Sequence, residues 1–263
     1  MSQTQVPEIT GKMLMYERPV LLNKEQHAGL GIKPLDQPYA FCAKLRAVPL
    51  SLAEVPFAYR HYPIIFTGRE NPVLLAVLGV VDDLNLYVDE KGVWDPTAYV
   101  PSYVRRYPFA VAAENDSDRF AIVIDAAFKG IVPGGDYPLF NDGAPSANTQ
   151  QAIDFCKAYE VDRKVTEHAM QRLAGFDLIT IQAAQFTPVG STEQKTISEY
   201  YAIDGQRLDQ LPDDRFLELR KAGLLPLLYA QMMSFANWRD LLNRRAKRHG
   251  LSQDAILNPV QLN

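Results

Sequence analysis

The densest chemistry in this chain is the run 99–109, YVPSYVRRYPF, where Tyr99, Tyr103 and Tyr107 interleave with Arg105 and Arg106. A guanidinium offers a planar fork of donors, and a tyrosine offers rigid amphipathic area. Together they suit anion capture and protein interfaces. Neighbouring side chains of an extended chain point opposite ways, so one arginine is expected to be structural and the other free to bind. The alternative is an ordered loop whose tyrosines pack on the core while an arginine pairs with an acid. Trp94 and Tyr62 join Tyr99, Tyr103, Arg105, Arg106 and Tyr107 as binding candidates.

Acid–base chemistry has fewer carriers. Of four histidines, His168 sits mid-helix among polar neighbours and His249 in a basic helix end. His27 and His61 each precede a tight or apolar segment and could act as a base or ligand, or simply bond nearby backbone. With Tyr103 they form the catalytic candidates, and Arg106 would be the anion clamp. No two histidines are four apart, as a helical metal site would need. A metal version of an enzyme would require both imidazoles and a carboxylate such as Glu54 within coordination distance; the expectation is no metal and no cofactor. No G-x-S-x-G elbow, phosphate loop or dinucleotide fingerprint is present. The pair Gly29-x-Gly31 follows no expected strand, which leaves it very weak as a nucleotide signal.

These residues need elements to hold them. Segments 62–67 and 73–81 read as a strand pair joined through 68–72. Residues 85–88 and 92–94 flank a turn with glycine at Gly92, and 107–113 pairs with 120–125 across the polar connection 114–118. The short connections predict at least five strands in an antiparallel, meander-like sheet. The Gly/Pro-rich stretch 132–148 is a loop or internal boundary. A helix then starts with Asn148 or Thr149 as cap. Ala158, Val161, Val165, Ala169 and Leu173 lie on one face of it, and Gly175 ends it. Segments 178–187 and 196–203 form a second hairpin. Helices follow at 207–222 and 224–247, the latter expected to be the longest, with Pro226 in its first turn. The class is α+β, mostly antiparallel sheet in the N-terminal half and helices plus a β-hairpin in the C-terminal half. One domain over 1–263 is expected, with an internal boundary at 133–148.

Composition bounds the rest. With 47% hydrophobic and 22% charged residues, the 263-residue chain is ordinarily globular. A net charge of −4 argues against a broad grip on nucleic acid. The basic run Arg244, Arg245, Lys247 and Arg248 reads as a solvated helix end. Asp213 and Asp214 read as first-turn charges of a helix. Two separate cysteines, Cys42 and Cys156, read as buried free thiols. The segment MSQTQVPEITGKM lacks the pattern of a secretory signal, and no apolar run is long enough to span a bilayer. The location expected is therefore cytoplasmic, without membrane insertion, export without a signal being left open.

The order of several segments resembles the SapC family of bacterial proteins. They are MYERPV (15–20), LNKEQH (22–27), YAF (39–41), AVPL (47–50) with Glu54, HYPIIFT (61–67), YVPSYVRRYPF (99–109), PLF (138–140) and the C-terminal stretch 201–237. The likeness covers about residues 13–243. At Ala126-Ala127, after Asp125, relatives tend to carry acidic or polar residues. The resemblance implies a link to bacterial surface layers and genomic company with flavin-dependent halogenases, iron oxygenases and outer-membrane receptors. It carries over no catalytic residue. The leading expectation is a non-catalytic accessory protein that binds a peptide or protein partner, with self-association left open. An enzyme acting on a peptide or amino-acid-derived substrate and a surface-layer component are the alternatives.

Overall fold

The computed structural model describes residues 13–81, 84–113 and 120–258. The opening segment, the 114–118 connection and the last residues of the tail lie outside the described residues. The chain divides into two compact units, Met1–Pro38 with Arg105–Glu160, and Tyr39–Val104 with Val161–Asn263. Residues 133–148 fall within the first unit.

In the first unit, Phe120–Asp125 is the central strand of an antiparallel sheet, flanked by Pro19–Leu21 and Phe109–Ala113. A second sheet places Leu30–Ile32 between Ile131–Pro133 and Tyr137–Pro138. Gly31 and Gly135 meet there so closely that a Cβ on Gly31 would lie 2.6 Å from the Gly135 carbonyl oxygen. Backbone packing therefore accounts for Gly31 without a nucleotide. Phe109, Ile124, Leu139 and Cys156 form one core cluster, and Tyr16, Ala110 and Val123 another. The wholly buried Asp125 carboxylate ties the unit together. It accepts the backbone N–H groups of Glu17, Arg18 and Ala127 at 2.9–3.1 Å and the Tyr107 hydroxyl at 3.0 Å. The turn 125–127 is thus organised by its first residue, and the backbone N–H that Asp125 needs there can come from alanine.

The second unit is built on a five-stranded antiparallel sheet. Its order is Ile179–Phe186, Lys195–Ile203, Ile64–Phe66, Leu74–Val77 and Ala47–Pro49. Val48, Ile64, Phe66, Leu74 and Ala76 are buried by alternation along the three strands from the N-terminal half. Only Tyr201 and Phe66 pair across the seam between the two hairpins, so ladder groups of Ile64 and Ile203 need other partners. Helical side chains supply them. Ser234 Oγ accepts the Ile64 N–H at 2.9 Å. Gln231 donates to the Ile64 carbonyl at 2.8 Å and accepts the Ile203 N–H at 3.3 Å.

The class is α+β, with helices concentrated in the C-terminal half. The single meander is not what forms. The 64–77 hairpin joins the C-terminal hairpin in one sheet, while the 109–125 pair joins Pro19–Leu21 in another. The longest helix is the 28-residue Ala147–Ala174. Ser146, not Asn148 or Thr149, caps it, accepting the Thr149 N–H at 3.3 Å. Its buried apolar positions are Ile153, Cys156, Tyr159, Met170 and Leu173, whereas Val161 and Val165 are 60% and 55% exposed. The expected 207–222 helix is two, Gly205–Asp209 and Asp213–Lys221, because Pro212 between them offers no N–H and disfavours helix at the residue before it. Asp213 and Asp214 do stand in a first turn. The expected 224–247 helix is also broken, into Leu225–Met233, a 3₁₀ turn Ser234–Ala236, and Asn237–His249. Ser234 donates back to the Gln231 carbonyl at 2.6 Å at that break, a local bond that competes with the helical ladder. Among the described residues no helix is long and apolar enough to cross a membrane.

Candidate functional site

The helix Asn237–His249 was expected to end in solvated charge, but its basic residues are put to work. Arg245 is only 1% exposed and donates to the carbonyls of Ile256 and Asn258 at 2.6 Å each. Arg244 reaches the Asp95 carboxylate at 2.7 Å, and its guanidinium lies 4.3 Å from the centroid of the Tyr87 ring. Arg248 donates to the Val88 carbonyl at 2.6 Å. The helix is thereby clamped to segment 86–96.

That segment is shaped by its own turn. Asp89 Oδ1 accepts the N–H groups of Lys91 and Val93 at 2.9 and 2.8 Å, Gly92 takes φ = 66°, and Val88 bridges Trp94. Tyr87 stacks on Trp94 with ring centroids 6.2 Å apart and meets Tyr62 edge-on at 4.6 Å. The Tyr87 hydroxyl donates to the His61 carbonyl and the Tyr62 hydroxyl to the Tyr99 carbonyl. Burial drives both phenols well above the usual tyrosine range.

Between this segment and the helix lies a groove of about 500 Å³. Tyr87 and Trp94 form its floor, and Val93 and Pro96 an apolar rim. Lys91, Lys247 and Arg248 supply positive charge. Asp89 and Asp95 also line it, but their carboxylates are engaged by backbone N–H groups and by Thr97 and Arg244. The lining carries four cations (Lys91, Arg244, Lys247, Arg248) against three acids (Asp89, Glu90, Asp95), on a chain of net charge −4.

The other nominated residues are distributed as follows. His27 is buried in the first unit, with Nδ1 2.8 Å from the Asn23 carbonyl oxygen. His61 is half-buried in the second unit. Burial lowers its pKa below the usual histidine value. Arg244 and Arg60 add to that and Asp95 opposes it. No one unit therefore holds both imidazoles. Tyr103 and Arg106 are buried and Arg105 is exposed. The Arg106 guanidinium lies 4.8 Å from the centroid of the Tyr159 ring, and that of Arg105 5.1 Å from Phe155. Tyr107 is half-buried, bonded to Asp125, and shifted upward in pKa by that burial and by the carboxylate. Tyr99 stacks on the exposed Phe57 and donates to Glu54 at 3.0 Å. Glu54 is itself buried, accepting also from Ser51 N–H, Ser51 Oγ and Ser102 N–H. Of the nominated residues, Trp94 lines the groove, and Tyr62 packs behind its floor through Tyr87. Sequence reasoning missed Tyr87, Asp95 and Arg244 as a unit, since about 150 residues separate the arginine from its partners. Both cysteines are buried and free, and burial raises their thiols to about 12 (Cys42) and about 11 (Cys156). Among the described residues no group of three or more His, Cys, Asp or Glu could hold a metal ion.

The SapC family model matches residues 22–241. The chain belongs to the SapC family. The match takes in both flanks of segment 86–96. It ends within the helix Asn237–His249, so in this SapC-family chain the groove's cations Arg244, Lys247 and Arg248 lie just beyond it. No curated protein and no solved structure matches the chain.

Proposed function

We propose that this SapC-family protein is a binding protein that takes an acidic peptide segment of a partner in the groove between residues 86–96 and the helix Asn237–His249. One observation carries the reading. Two of the groove's three acids, Asp89 and Asp95, are satisfied internally, leaving the exposed Glu90 against Lys91 and Lys247, which are exposed and have no side-chain partner among the described residues. A peptide carboxylate would meet those ammonium groups at the rim, and its apolar side chains would cover Val93 and Pro96. Tyrosine, tryptophan and arginine are the residue types in which interfaces concentrate their binding energy, and the groove holds Tyr87, Trp94, Arg244 and Arg248.

The test is fluorescence anisotropy with a labelled peptide of alternating glutamate and tyrosine, against its lysine counterpart. Micromolar to sub-millimolar binding of the acidic peptide is expected, weakening with salt. The double variant Lys91→Glu with Lys247→Glu touches two exposed side chains and should keep the wild-type Tm while losing at least about tenfold in affinity, about 1.4 kcal/mol. Absence of binding, equal binding of the lysine peptide, or full affinity in the double variant would each overturn the proposal.

A further inference from the structure

The five-stranded sheet of the second unit has two edges, and they are built differently. One edge is Ala47–Pro49, three residues long and ending in a proline, which has no N–H to offer a further strand. The other is Ile179–Phe186, an eight-residue strand of sequence ITIQAAQF. It carries no charged residue and no proline, the usual guards of an edge, and its ladder shifts register only between Ala184 and Gln185. Among the described residues no strand or helix runs alongside it except its hairpin partner, Lys195–Ile203.

The ladder fixes which way the backbone groups of this strand point. The Leu178 carbonyl accepts the Asp204 N–H at 2.8 Å, in the register that sets Ile179 opposite Ile203. The Ile203 N–H turns the other way, to Gln231. Hydrogen-bonded pairs alternate along antiparallel strands. Thr180, Gln182 and Ala184 therefore bond inward to Lys195–Ile203, while Ile179, Ile181 and Ala183 turn their N–H and C=O groups outward. Those outward groups have no partner among the described residues. Their side chains are open as well: Ile181 is 55% exposed, and Ala183 is exposed beside it.

We infer that this edge pairs with the same edge of a second copy of the chain, antiparallel about a two-fold axis at Gln182, so that the sheet continues from one protomer into the next. In that register Ile181 lies opposite the partner's Ala183, each such pair exchanges both backbone hydrogen bonds, and the exposed isoleucine covers the alanine. A two-fold contact brings the same residues of both copies together, so any charge on the edge would face its like. On a chain of net charge −4, this strand without charge is where two copies approach with least repulsion. A pairing this short covers less than the roughly 800 Å² per partner of a standard interface, so the dimer is weak, with a Kd of about 0.1–1 mM. The edge shares no residue with the peptide groove, and neither reading depends on the other.

The experiment is sedimentation equilibrium of the full chain from about 10 µM to about 2 mM, with hydrogen exchange measured at both ends of that range. The mass should rise with concentration from 29.6 kDa toward twice that value. Exchange at Ile181 and Ala183 should slow by at least about twofold at the high end, whereas Thr180 and Gln182 should be protected throughout. Ile181→Lys sets a charge against its copy, and Ala183→Pro removes an outward N–H that the hairpin does not use. Each should keep the wild-type Tm and raise Kd at least about tenfold. The lysine variant changes only an exposed side chain, so the comparison stands if the proline variant fails to fold. A monomer at every concentration would overturn the inference, as would undiminished dimerisation of Ile181→Lys. So would full protection of Ile181 and Ala183 already at about 10 µM, which would give the edge to another segment of the same chain.

Discussion

Arg244 and Asp95 meet at 2.7 Å, and the same guanidinium lies against the Tyr87 ring. Burial alone would raise the Asp95 carboxyl. The Thr97 hydroxyl and N–H, with Arg244, outweigh it and hold the group at about 2. Because the folded value is depressed, the contribution is complete above the unfolded value of about 4 and disappears as pH falls from about 4 to about 2. Asp95→Asn should therefore cost about 1 kcal/mol at pH 7 by urea unfolding, a figure discounted for partial exposure. Its stability curve should converge on that of the wild type toward pH 2. Curves that stay parallel would contradict the ion pair.

His61 obeys the same sign rule. Its lowered folded value means that protonation opposes the fold, so the associated stability is complete above about 6.5 and falls away as pH drops through the folded value. NMR titration should place its midpoint below that of a free histidine. Arg244→Gln should raise it, by removing a cation and releasing Asp95. His61→Gln should gain stability relative to wild type in acid only. A midpoint at or above the ordinary value would refute this account.

Arg245 holds the C-terminal segment. Gln253 accepts the Val189 N–H at 2.7 Å and Lys195 donates to the Asp254 carbonyl at 3.1 Å, so the segment is also tied to the C-terminal hairpin. Arg245→Met keeps the length of the side chain and removes its donors, leaving two carbonyls to find water. Destabilisation by about 2–4 kcal/mol is expected, with faster hydrogen exchange at residues 251–258. An unchanged urea midpoint would argue against the clamp.

The long helix offers a sharper contrast. Val161→Gln with Val165→Gln should change stability by less than about 0.5 kcal/mol, since both side chains already face solvent. Leu173→Ala, at a fully buried position, should cost about 2–5 kcal/mol. Thermal unfolding of the two variants side by side decides the matter, and a large loss in the valine pair would mean that this face is covered in solution.

The amino-acid sequence by itself determined the α+β class and the hairpins at 64–77, 109–125 and 179–203. It also placed the turn at Gly92 and the buried state of both cysteines. These follow from local rules, namely alternation along strands, turn residues, and the aversion of apolar groups to water. Tertiary structure alone decided which hairpin pairs with which, because alternation specifies a buried face but not the neighbour across the seam. It also chose between the two apolar stripes of Ala147–Ala174, both of which satisfy the helical period. Most of all, it decided the site. The run 99–109 looks richest in chemistry, yet Arg106 and Tyr103 are buried and Tyr99 and Tyr107 bond the carboxylates of Glu54 and Asp125. The basic run at 244–248 reads as bland surface, yet it builds the groove. Polar side chains bond whatever donors and acceptors the fold brings near, and for Arg244 and Asp95 that proximity comes from packing across about 150 residues of chain.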